Sequence, residues 1–304
     1  MHVLVTGGAG FIGSHIVDAC VARGWRVSVI DNLSTGDRSN LNAKAEFHEA
    51  DLRDPATAGI VQKLRPDVIT HQAAQVDLRK SVDDPGGDTE INVVASVRLL
   101  DAAVKAGVKK FVFASSGGAA YGEPLFTPQT EEHPLNPVSP YGCAKVAVEY
   151  YMNAFRHVYG LATVALRYAN IYGPRQSSRG EAGVIAIFAD RMKAGQEVTI
   201  NGDGGQTRDF VHVSDVVAAN MAAIDRADLT GAFNVGTGVE TSVNEIHRLI
   251  AAALGVTMPP RYGPAKAGEQ RRSVLRPSTL QRQPLPLAEG IGFVAERSES
   301  GRPR

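Results

Sequence analysis

The sequence predicts an α/β protein built on a doubly wound parallel sheet, with a smaller domain in the C-terminal half. Apolar runs rich in β-branched residues alternate with segments of helical periodicity, which is the pattern of βαβ units. A parallel sheet of this kind is covered by helices on both faces. A glycine-rich turn between the first apolar run and the first helix is the third observation.

The elements are predicted in order along the chain. Strands are expected in the runs HVLVTG, RVSVID, PDVITHQAA, KKFVFASS, ATVALRYANIYG and GAFNVGTG. Helical periodicity covers residues 14–23 and about 92–105. Residues 173–183 are rich in Gly, Ser, Arg and Gln, so we expect a loop there that orders over a ligand.

The composition disfavours several classes of protein. The 304 residues contain 32 basic and 32 acidic side chains, so no net charge attracts nucleic acid or an anionic membrane. The first residues run into a strand rather than a signal peptide, and no apolar run reaches the ~18 residues of a transmembrane helix. We therefore expect a soluble, cytoplasmic protein. Its two cysteines are too few for a disulfide framework, and no His or Cys cluster has metal-site spacing.

The glycine-rich turn predicts a dinucleotide site. Gly7, Gly10 and Gly13 follow the first strand and open the first helix. Glycines there allow close backbone approach, and the helix N-terminus presents N–H groups and a positive dipole end to a pyrophosphate. Asp31 ends the second strand, where a carboxylate accepts hydrogen bonds from the adenosine ribose and repels the 2′-phosphate of NADP. The sequence therefore predicts NAD as the cofactor.

A second candidate site lies in the segment SPYGCAK, residues 139–145. Tyr141 and Lys145 are four residues apart at the predicted start of a helix, so they lie on one face. A phenol with a pKa near ~10 is a weak base at neutral pH, but a nearby cation favours the phenolate and lowers that pKa. We therefore expect the pair to act as a general base. An ordinary helix with an exposed lysine and a half-buried tyrosine is the alternative.

Several separated motifs resemble those of the extended short-chain dehydrogenases. They are the glycine-rich turn, DNLSTG (31–36), ADLRD (50–54), HQAA (71–74), SSGGAAYG (115–122) and SPYGCAK (139–145). Two later segments, RYANIYGPRQ (167–176) and NGDGGQTRDFVHVSDV (201–216), resemble the UDP-glucose 4-epimerase branch of that family. The resemblance covers residues 1 to about 275 and implies a Rossmann-type fold.

The resemblance implies two domains followed by a tail. Residues 1–168 would form the NAD-binding Rossmann domain. Residues 169–275 would form mainly the substrate-binding domain, with about 209–236 returning to the first domain. Residues 276–304 contain prolines and polar residues without a sustained period. We therefore expect an atypical tail that packs loosely and lacks the closing helix of the family.

The resemblance also assigns roles to individual residues. The catalytic residues would be the base Tyr141, its partner Lys145, and Ser116, with Ser115 as the alternative serine. The residues implied to bind NAD are Gly7, Gly10, Phe11, Ile12, Gly13, Asp31, Asn32, Ser34, Gly36, Asp51, Leu52, Ala73, Tyr141, Lys145 and Tyr168. The residues implied to bind the substrate are Ser116, Tyr141, Asn170, Arg208, Lys266 and Ser273.

The implied reaction is C4 epimerisation of a UDP-hexose through a 4-keto intermediate. Dehydratases of this superfamily usually carry an Asp-Glu pair where this chain has Gly117 and Gly118, which disfavours dehydration. Uronate epimerases often place a threonine where this chain has Asn170, so a hexose is favoured and a uronate remains the alternative. A non-catalytic NAD-binding protein on the same fold also stays open.

Three substrate residues carry more specific expectations. Arg208 would clamp the diphosphate, or else pair with Asp203 or Asp209 on the surface. Lys266 stands where a phosphate-binding arginine is usual, and a lysine lacks the bidentate fork. Ser273 stands where hexose-only members carry a bulky tyrosine. We therefore expect room beside the C2 substituent of the sugar, and acceptance of UDP-N-acetylglucosamine.

The expected partners follow from the same resemblance. A UDP-sugar is the implied substrate, and neither nucleic acid nor a membrane is expected. A homodimer is implied through the helix that begins at Tyr141 and the one at residues 92–105.

Overall fold

The structure is a computed structural model that describes residues 1–178, 183–265, 270–280 and 283–296. The strands are β1 (His2–Thr6), β2 (Arg26–Asp31), β3 (Glu46–Glu49), β4 (Val68–His71), β5 (Lys110–Ser116), β6 (Ala162–Tyr168), β7 (Asn170–Tyr172), β8 (Thr199–Asn201), β9 (Thr207–His212), β10 (Gly231–Val235), β11 (Glu240–Ser242), β12 (Arg261–Gly263) and β13 (Arg272–Ser273). The α-helices are α1 (Phe11–Ala22), α2 (Ala56–Leu64), α3 (Leu78–Asp83), α4 (Pro85–Thr89), α5 (Ala95–Ala106), α6 (Gly117–Ala120), α7 (Pro140–Tyr159), α8 (Val184–Lys193), α9 (Val213–Asp225), α10 (Val243–Leu254) and α11 (Leu287–Ala295). A π-helical turn (Glu90–Val94) joins α4 to α5.

The main sheet is doubly wound, which confirms the predicted fold class. Its order is β3-β2-β1-β4-β5-β6-β10 and all neighbouring strands are parallel. The strand order reverses between β1 and β4. In open sheets of this kind ligands bind in the crevice outside the carboxyl ends of the strands at that point.

Both faces of the main sheet are covered by helices. Helices α1 and α9 pack on one face, and α2, α5 and α7 pack on the other. Val3 and Val5 contribute to the first core and Leu4 to the second, and all three are fully buried. The continuous apolar run of β1 follows from this arrangement, because successive side chains point into opposite cores.

The predicted run 162–173 is divided between two sheets. Its first part forms β6 at the heart of the main sheet, and its second part forms β7, which pairs with β9 in a smaller sheet. The smaller sheet also contains β11 and β13. This change of sheet places Asn170, the first residue of β7, beside the carboxyl end of β6.

The tail contains a packed helix, so the expectation of a loosely packed tail without a closing helix is wrong. Helix α11 packs against α8 and α10, and its Ile291 is only 1% exposed. Leu287, Ile291 and Val294 join this core at helical spacing. The glycines of α11 interrupt the helical spacing of apolar residues in the sequence, so the helix was not predicted. Gly290 is required for packing, because a Cβ there would lie 2.1 Å from the hydroxyl oxygen of Tyr172.

Candidate active site

The turn between β1 and α1 forms a cradle that side chains would fill. Gly7 has a φ of +70°, and a Cβ there would lie 2.6 Å from the backbone nitrogen of Ala73. A Cβ on Gly13 would lie 2.1 Å from the carbonyl oxygen of Gly7. The first-turn N–H groups of α1 have no intrahelical partner, so they are available to the cavity that Gly10 lines. The cradle therefore fits a pyrophosphate.

Asp31 is fixed at the edge of the same cavity. Its carboxylate accepts hydrogen bonds from the backbone nitrogens of Ala9 (3.0 Å) and Leu33 (2.8 Å). A Cβ on Gly36 would lie 3.1 Å from the Asp31 Oδ1 atom, so the loop after β2 closes tightly on the carboxylate. A carboxylate has about four acceptor sites, so two remain for ribose hydroxyls.

Asp51 forms the next part of the cavity wall. Its carboxylate accepts hydrogen bonds from the Asn32 side-chain amide (2.9 Å) and from the Arg53 guanidinium (2.7 Å). The hydrogen bond from Arg53 holds the pKa of Asp51 well below its ordinary value. The side chain is therefore an ionised acceptor in a fixed position.

One cavity at the carboxyl ends of the parallel strands collects nearly all of the sequence-predicted site. Every residue implied to bind NAD lines it, as do both candidate serines and Asn170. In chain order these residues are Gly7, Gly10, Phe11, Ile12, Gly13, Asp31, Asn32, Ser34, Gly36, Asp51, Leu52, Ala73, Ser115, Ser116, Tyr141, Lys145, Tyr168 and Asn170.

Helix α7 positions the tyrosine and lysine. The Ser139 side chain caps the helix by accepting a hydrogen bond from the Gly142 nitrogen (3.1 Å), and Pro140 occupies the first turn. One turn later the Lys145 ammonium lies 5.5 Å from the centre of the Tyr141 ring. It donates a hydrogen bond to the carbonyl oxygen of Ala114 at the end of β5 (2.8 Å). The pair is therefore anchored to the main sheet.

Burial governs the protonation of this pair. Burial and the negative charge of Asp88 raise the pKa of Tyr141 above its ordinary value. Burial lowers the pKa of Lys145 to about 8, against the opposing charges of Asp88 and Glu149. The pKa of Tyr141 is therefore raised rather than lowered as expected, because desolvation by burial is the largest cause of its shift. A further positive charge in the cavity would favour the phenolate.

The two candidate serines have different hydrogen-bond partners. The Ser115 hydroxyl donates to the Glu149 carboxylate (2.5 Å), which also forms an ion pair with Arg167 (2.6 Å). The Ser116 oxygen accepts a hydrogen bond from the Ala119 nitrogen (3.3 Å) and caps α6. The Ser116 bond does not use the hydroxyl hydrogen. Ser116 is therefore better placed than Ser115 to donate to a ligand.

The remaining substrate residues are not brought to this cavity. Arg208 and Ser273 are paired on adjacent strands β9 and β13, and neither lines the cavity. Ser273 is 3% exposed, and its hydroxyl would lie 3.7 Å from a Cβ on Gly118. Lys266 lies outside the described residues.

Several residues that line the cavity were not predicted from the sequence. His15, Arg175, Gln176, His212 and Phe293 all line it. They come from α1, the loop after β7, the end of β9 and α11, so no local spacing connects them. The one usable signal was the polar loop predicted at residues 173–183.

Two broader properties concern the residues that the structure describes. Among them, no group of three or more His, Cys, Asp or Glu side chains could hold a metal ion. None of the helices within the described ranges is long and apolar enough to cross a membrane.

The parallel sheet, the glycine cradle and the fixed carboxylate of Asp31 together are typical of a dinucleotide-binding enzyme. The sequence profile of the NAD dependent epimerase/dehydratase family matches residues 3–236. The chain belongs to that family, which confirms the resemblance predicted from its motifs and the choice of NAD as cofactor.

Three similar proteins cover almost the whole chain. A UDP-glucose 4-epimerase of Mycolicibacterium smegmatis is 47% identical over 307 residues, which span 97% of this chain and 98% of that protein. The structure of UDP-glucose 4-epimerase from Thermotoga maritima with UDP-glucose has a TM-score of 0.94 at 45% identity and covers 97% of this chain and 98% of that one. The corresponding structure from Thermus thermophilus in complex with NAD has a TM-score of 0.91 at 44% identity, with the same coverage. Matches this long include most of the tail, so the expected end of the resemblance at about residue 275 is wrong.

Proposed function

We propose that this protein interconverts UDP-glucose and UDP-galactose by NAD-dependent epimerisation at C4, through a 4-keto intermediate. The observation that carries the proposal is the Tyr141–Lys145 pair in the same cavity as the glycine cradle and Asp31. The UDP-glucose 4-epimerases at 44 to 47% identity support it.

The catalytic step is assigned to three side chains of the cavity. Tyr141 takes the proton of the sugar 4-hydroxyl and returns it after the 4-keto sugar has turned over. Ser116 donates a hydrogen bond to the same oxygen, since its hydroxyl hydrogen is not used by the α6 cap. Lys145 holds the nicotinamide ribose and contributes positive charge beside the phenol. Both faces of the 4-keto sugar must present C4 to the same groups. The main contribution of these side chains to catalysis is therefore to position the sugar rather than to act as strong acids or bases.

The dinucleotide is assigned to the opposite wall. The cradle around Gly7 and Gly13 holds its pyrophosphate, Asp31 holds its adenosine ribose, and Asp51 with Leu52 flanks its adenine. When bound, NAD supplies the acceptor and donor of a hydride at C4 and, in its oxidised form, a positively charged ring. Since burial raises the pKa of Tyr141, the phenol is a useful base only with additional positive charge nearby.

The substrate is assigned on the features that distinguish related reactions. Gly117 and Gly118 form the first turn of α6, so this turn offers no acid and base for the loss of water. Asn170 lines the cavity with a neutral amide, which suits a hexose better than a uronate. A UDP-uronate remains the second candidate, and Asn170 is the residue on which the choice depends.

The pocket is further proposed to accept UDP-N-acetylglucosamine. Neither Ser273 nor Gly118 lines the cavity, but both are small residues that face each other at the junction of β13 and α6, so no bulky side chain at this junction rejects an added group. Parallel kinetics on both sugars test this. Turnover of the N-acetylated sugar is expected in the wild type and is expected to be lost selectively in Ser273→Tyr. No wild-type turnover of that sugar, or equal loss of both activities in Ser273→Tyr, would count against a role of the small Ser273 side chain in sugar selection.

The purified protein should interconvert UDP-glucose and UDP-galactose without added reductant. Proton NMR of the reaction follows both sugars and any 4-keto product. A mixture of the two sugars is the expected end point. Accumulation of a 4-keto sugar as the main product would refute the assignment, and absence of turnover with bound NAD would favour a non-catalytic role.

A homodimer is proposed through the outer faces of α5 and α7. Tyr150 is 66% exposed on α7, and Val94, just before α5, is 37% exposed. Apolar side chains of this size at a helix pair are typical of a subunit contact. Analytical ultracentrifugation at micromolar concentration should give the mass of a dimer, and Tyr150→Glu should shift the equilibrium to monomer. A monomeric wild type would rule the interface out.

A further inference from the structure

The loop after β7 is held against the cavity by side chains rather than by regular structure. The His15 ring donates a hydrogen bond to the carbonyl oxygen of Pro174 (2.9 Å), and Gln176 donates through its amide to the carbonyl oxygen of Ile171 (3.0 Å). Arg175 has a φ of +67°, which a residue with a side chain rarely adopts. Strained residues of this kind concentrate at functional sites.

Arg175 presents only half of its guanidinium to the protein. Its Nη2 atom donates to the Asp18 carboxylate (2.7 Å), and that carboxylate is itself fixed by the Asn42 amide (2.7 Å). The Nη1 atom is buried and has no hydrogen-bond partner among the described residues. A buried N–H group without an acceptor is costly, and an arginine fork matches carboxylate or phosphate oxygens.

His212 supplies a second donor to the same end of the cavity. Its Nδ1 atom accepts from the Ser214 nitrogen (3.3 Å), so the proton of the neutral ring is on Nε2. Nε2 is buried without a partner in the described part of the chain, and it lies 3.2 Å from the position of a Cβ on Gly173. Burial lowers the pKa of His212 to about 4. The ring is therefore a neutral donor at pH 7.

These donors lie along the helix that begins at the glycine cradle. Phe11, His15 and Asp18 share one face of α1 at helical spacing, and Phe11 and His15 line the cavity together with Arg175 and His212. Of the other cationic side chains on the cavity wall, Lys80 and Arg53 are exposed, and Lys145 is bound to Ala114. Arg175 is thus the half-buried cation best able to meet a ligand.

We propose that Arg175 and His212 form a second anion subsite of the cavity, separate from the glycine turn, which binds a phosphoryl oxygen of a nucleoside diphosphate. The anion is either the pyrophosphate of the dinucleotide or the diphosphate of the UDP-sugar. The inference rests on the proposed function for these two ligands. Its test measures equilibrium binding rather than turnover. A failure of the epimerase assignment would therefore show as absent turnover, with the measured dissociation constants unchanged.

The test compares Arg175→Gln and Arg175→Lys with Arg23→Gln. Arg23 also forms an arginine–aspartate ion pair at α1, with Asp225 (2.6 Å), but it does not line the cavity. Titration calorimetry measures the dissociation constant for UDP on the purified protein, and retention of NAD after dialysis is measured by absorbance. Thermal denaturation confirms that each variant is folded.

Arg175→Gln is expected to weaken one ligand by at least about tenfold, with a smaller loss for Arg175→Lys and no change for Arg23→Gln. Loss of NAD with UDP unchanged identifies the pyrophosphate as the anion, and the reverse result identifies the UDP-sugar. The affinity that depends on Arg175 should also fall more steeply with salt in the wild type than in the glutamine variant. Both affinities within about twofold of the wild type in folded Arg175→Gln, or an equal effect of Arg23→Gln, would overturn the proposal.

Discussion

Two walls of one cavity offer a ligand different kinds of contact. The wall between β1 and α1 presents backbone groups to the cavity. Its turn contains Gly7, which has a φ of +70°, and its backbone N–H groups are available to the space that Gly7 and Gly10 line. The side-chain wall is formed elsewhere in the cavity: Tyr141, Lys145 and Ser116 line it, and so does Arg175 (φ +67°), from the loop after β7. A backbone wall is damaged by adding atoms, whereas a side-chain wall is damaged by removing them.

The largest expected effect is on the side-chain wall. Tyr141→Phe should lower kcat by about 100- to 10,000-fold, because it removes the proton acceptor and little packing. The variant should retain NAD, since the glycine cradle is intact. Tyr150→Phe, on the exposed face of the same helix, should keep wild-type activity. A Tyr141→Phe enzyme with wild-type turnover would show that another group is the base.

The converse effect is expected on the backbone wall. Gly7→Ala should abolish NAD retention, because the added Cβ would lie 2.6 Å from the Ala73 nitrogen. Gly24→Ala is the matched control: its φ is +72°, but nothing lies within 4 Å of the added Cβ. The control should lose about 1–2 kcal/mol of stability through backbone strain alone and keep NAD. Equal NAD content in the two variants, measured by absorbance, would contradict the claim that the wall at Gly7 is sensitive to an added Cβ.

The end of the cavity depends on α11. Ile291→Ala should lower the free energy of unfolding by about 2–5 kcal/mol, because the side chain is fully packed against α8 and α10. Glu289→Ala, exposed on the same helix, should change it by less than about 0.5 kcal/mol. Urea unfolding measures both. Indistinguishable stabilities would restore the prediction of a tail that contributes little.

The smallest effect concerns the support beneath the glycine wall. The buried His71 ring bridges the Thr6 hydroxyl (2.6 Å) and the Ser96 hydroxyl (2.8 Å). Burial, with a minor contribution from the charge of Lys145, lowers the pKa of His71 to about 3. The unfolded chain binds this proton near pH ~6.5 and the folded protein does not. Stability from this group is therefore complete above that pH and is lost as the pH falls toward 3.

Urea unfolding between pH 7.5 and 5 measures this dependence. His71 should contribute a slope of about 1.4 kcal/mol per pH unit below its unfolded pKa, so His71→Gln should flatten the profile by that amount. His157→Gln, at an exposed position on α7, should leave the slope unchanged. An identical slope in His71→Gln and the wild type would mean that the folded protein accommodates the charged ring.

The difference between the walls also explains which features were predictable. Gly7, Asp31 and the Tyr141–Lys145 pair are defined by spacing within one strand, turn or helix, and the sequence displays that spacing directly. The parallel sheet with helices on both faces followed from the alternation of strand and helix patterns. Arg175 and His212 meet only through the fold, because β7 and β9 pair in a second sheet.

Two predictions were wrong because they were made from neighbouring residues alone. The pKa of Tyr141 depends on how deeply α7 is buried, which the i, i+4 spacing does not report. Helix α11 was not predicted because Gly290 weakens the helical pattern. The glycine is required there because Tyr172 packs too closely for a side chain. In both cases a distant contact decided a property that had been judged from neighbouring residues.

The central claim is that C4 is oxidised and reduced within one cavity, with the hydrogen of C4 kept by the enzyme. The direct measurement is epimerisation of UDP-glucose in D₂O, followed by proton NMR and mass spectrometry of the UDP-galactose formed. The account predicts that the product carries ordinary hydrogen at C4, with no deuterium gained there after many turnovers. Deuterium at C4 of the product would show that the hydrogen exchanges with solvent, and would contradict a hydride held within the cavity.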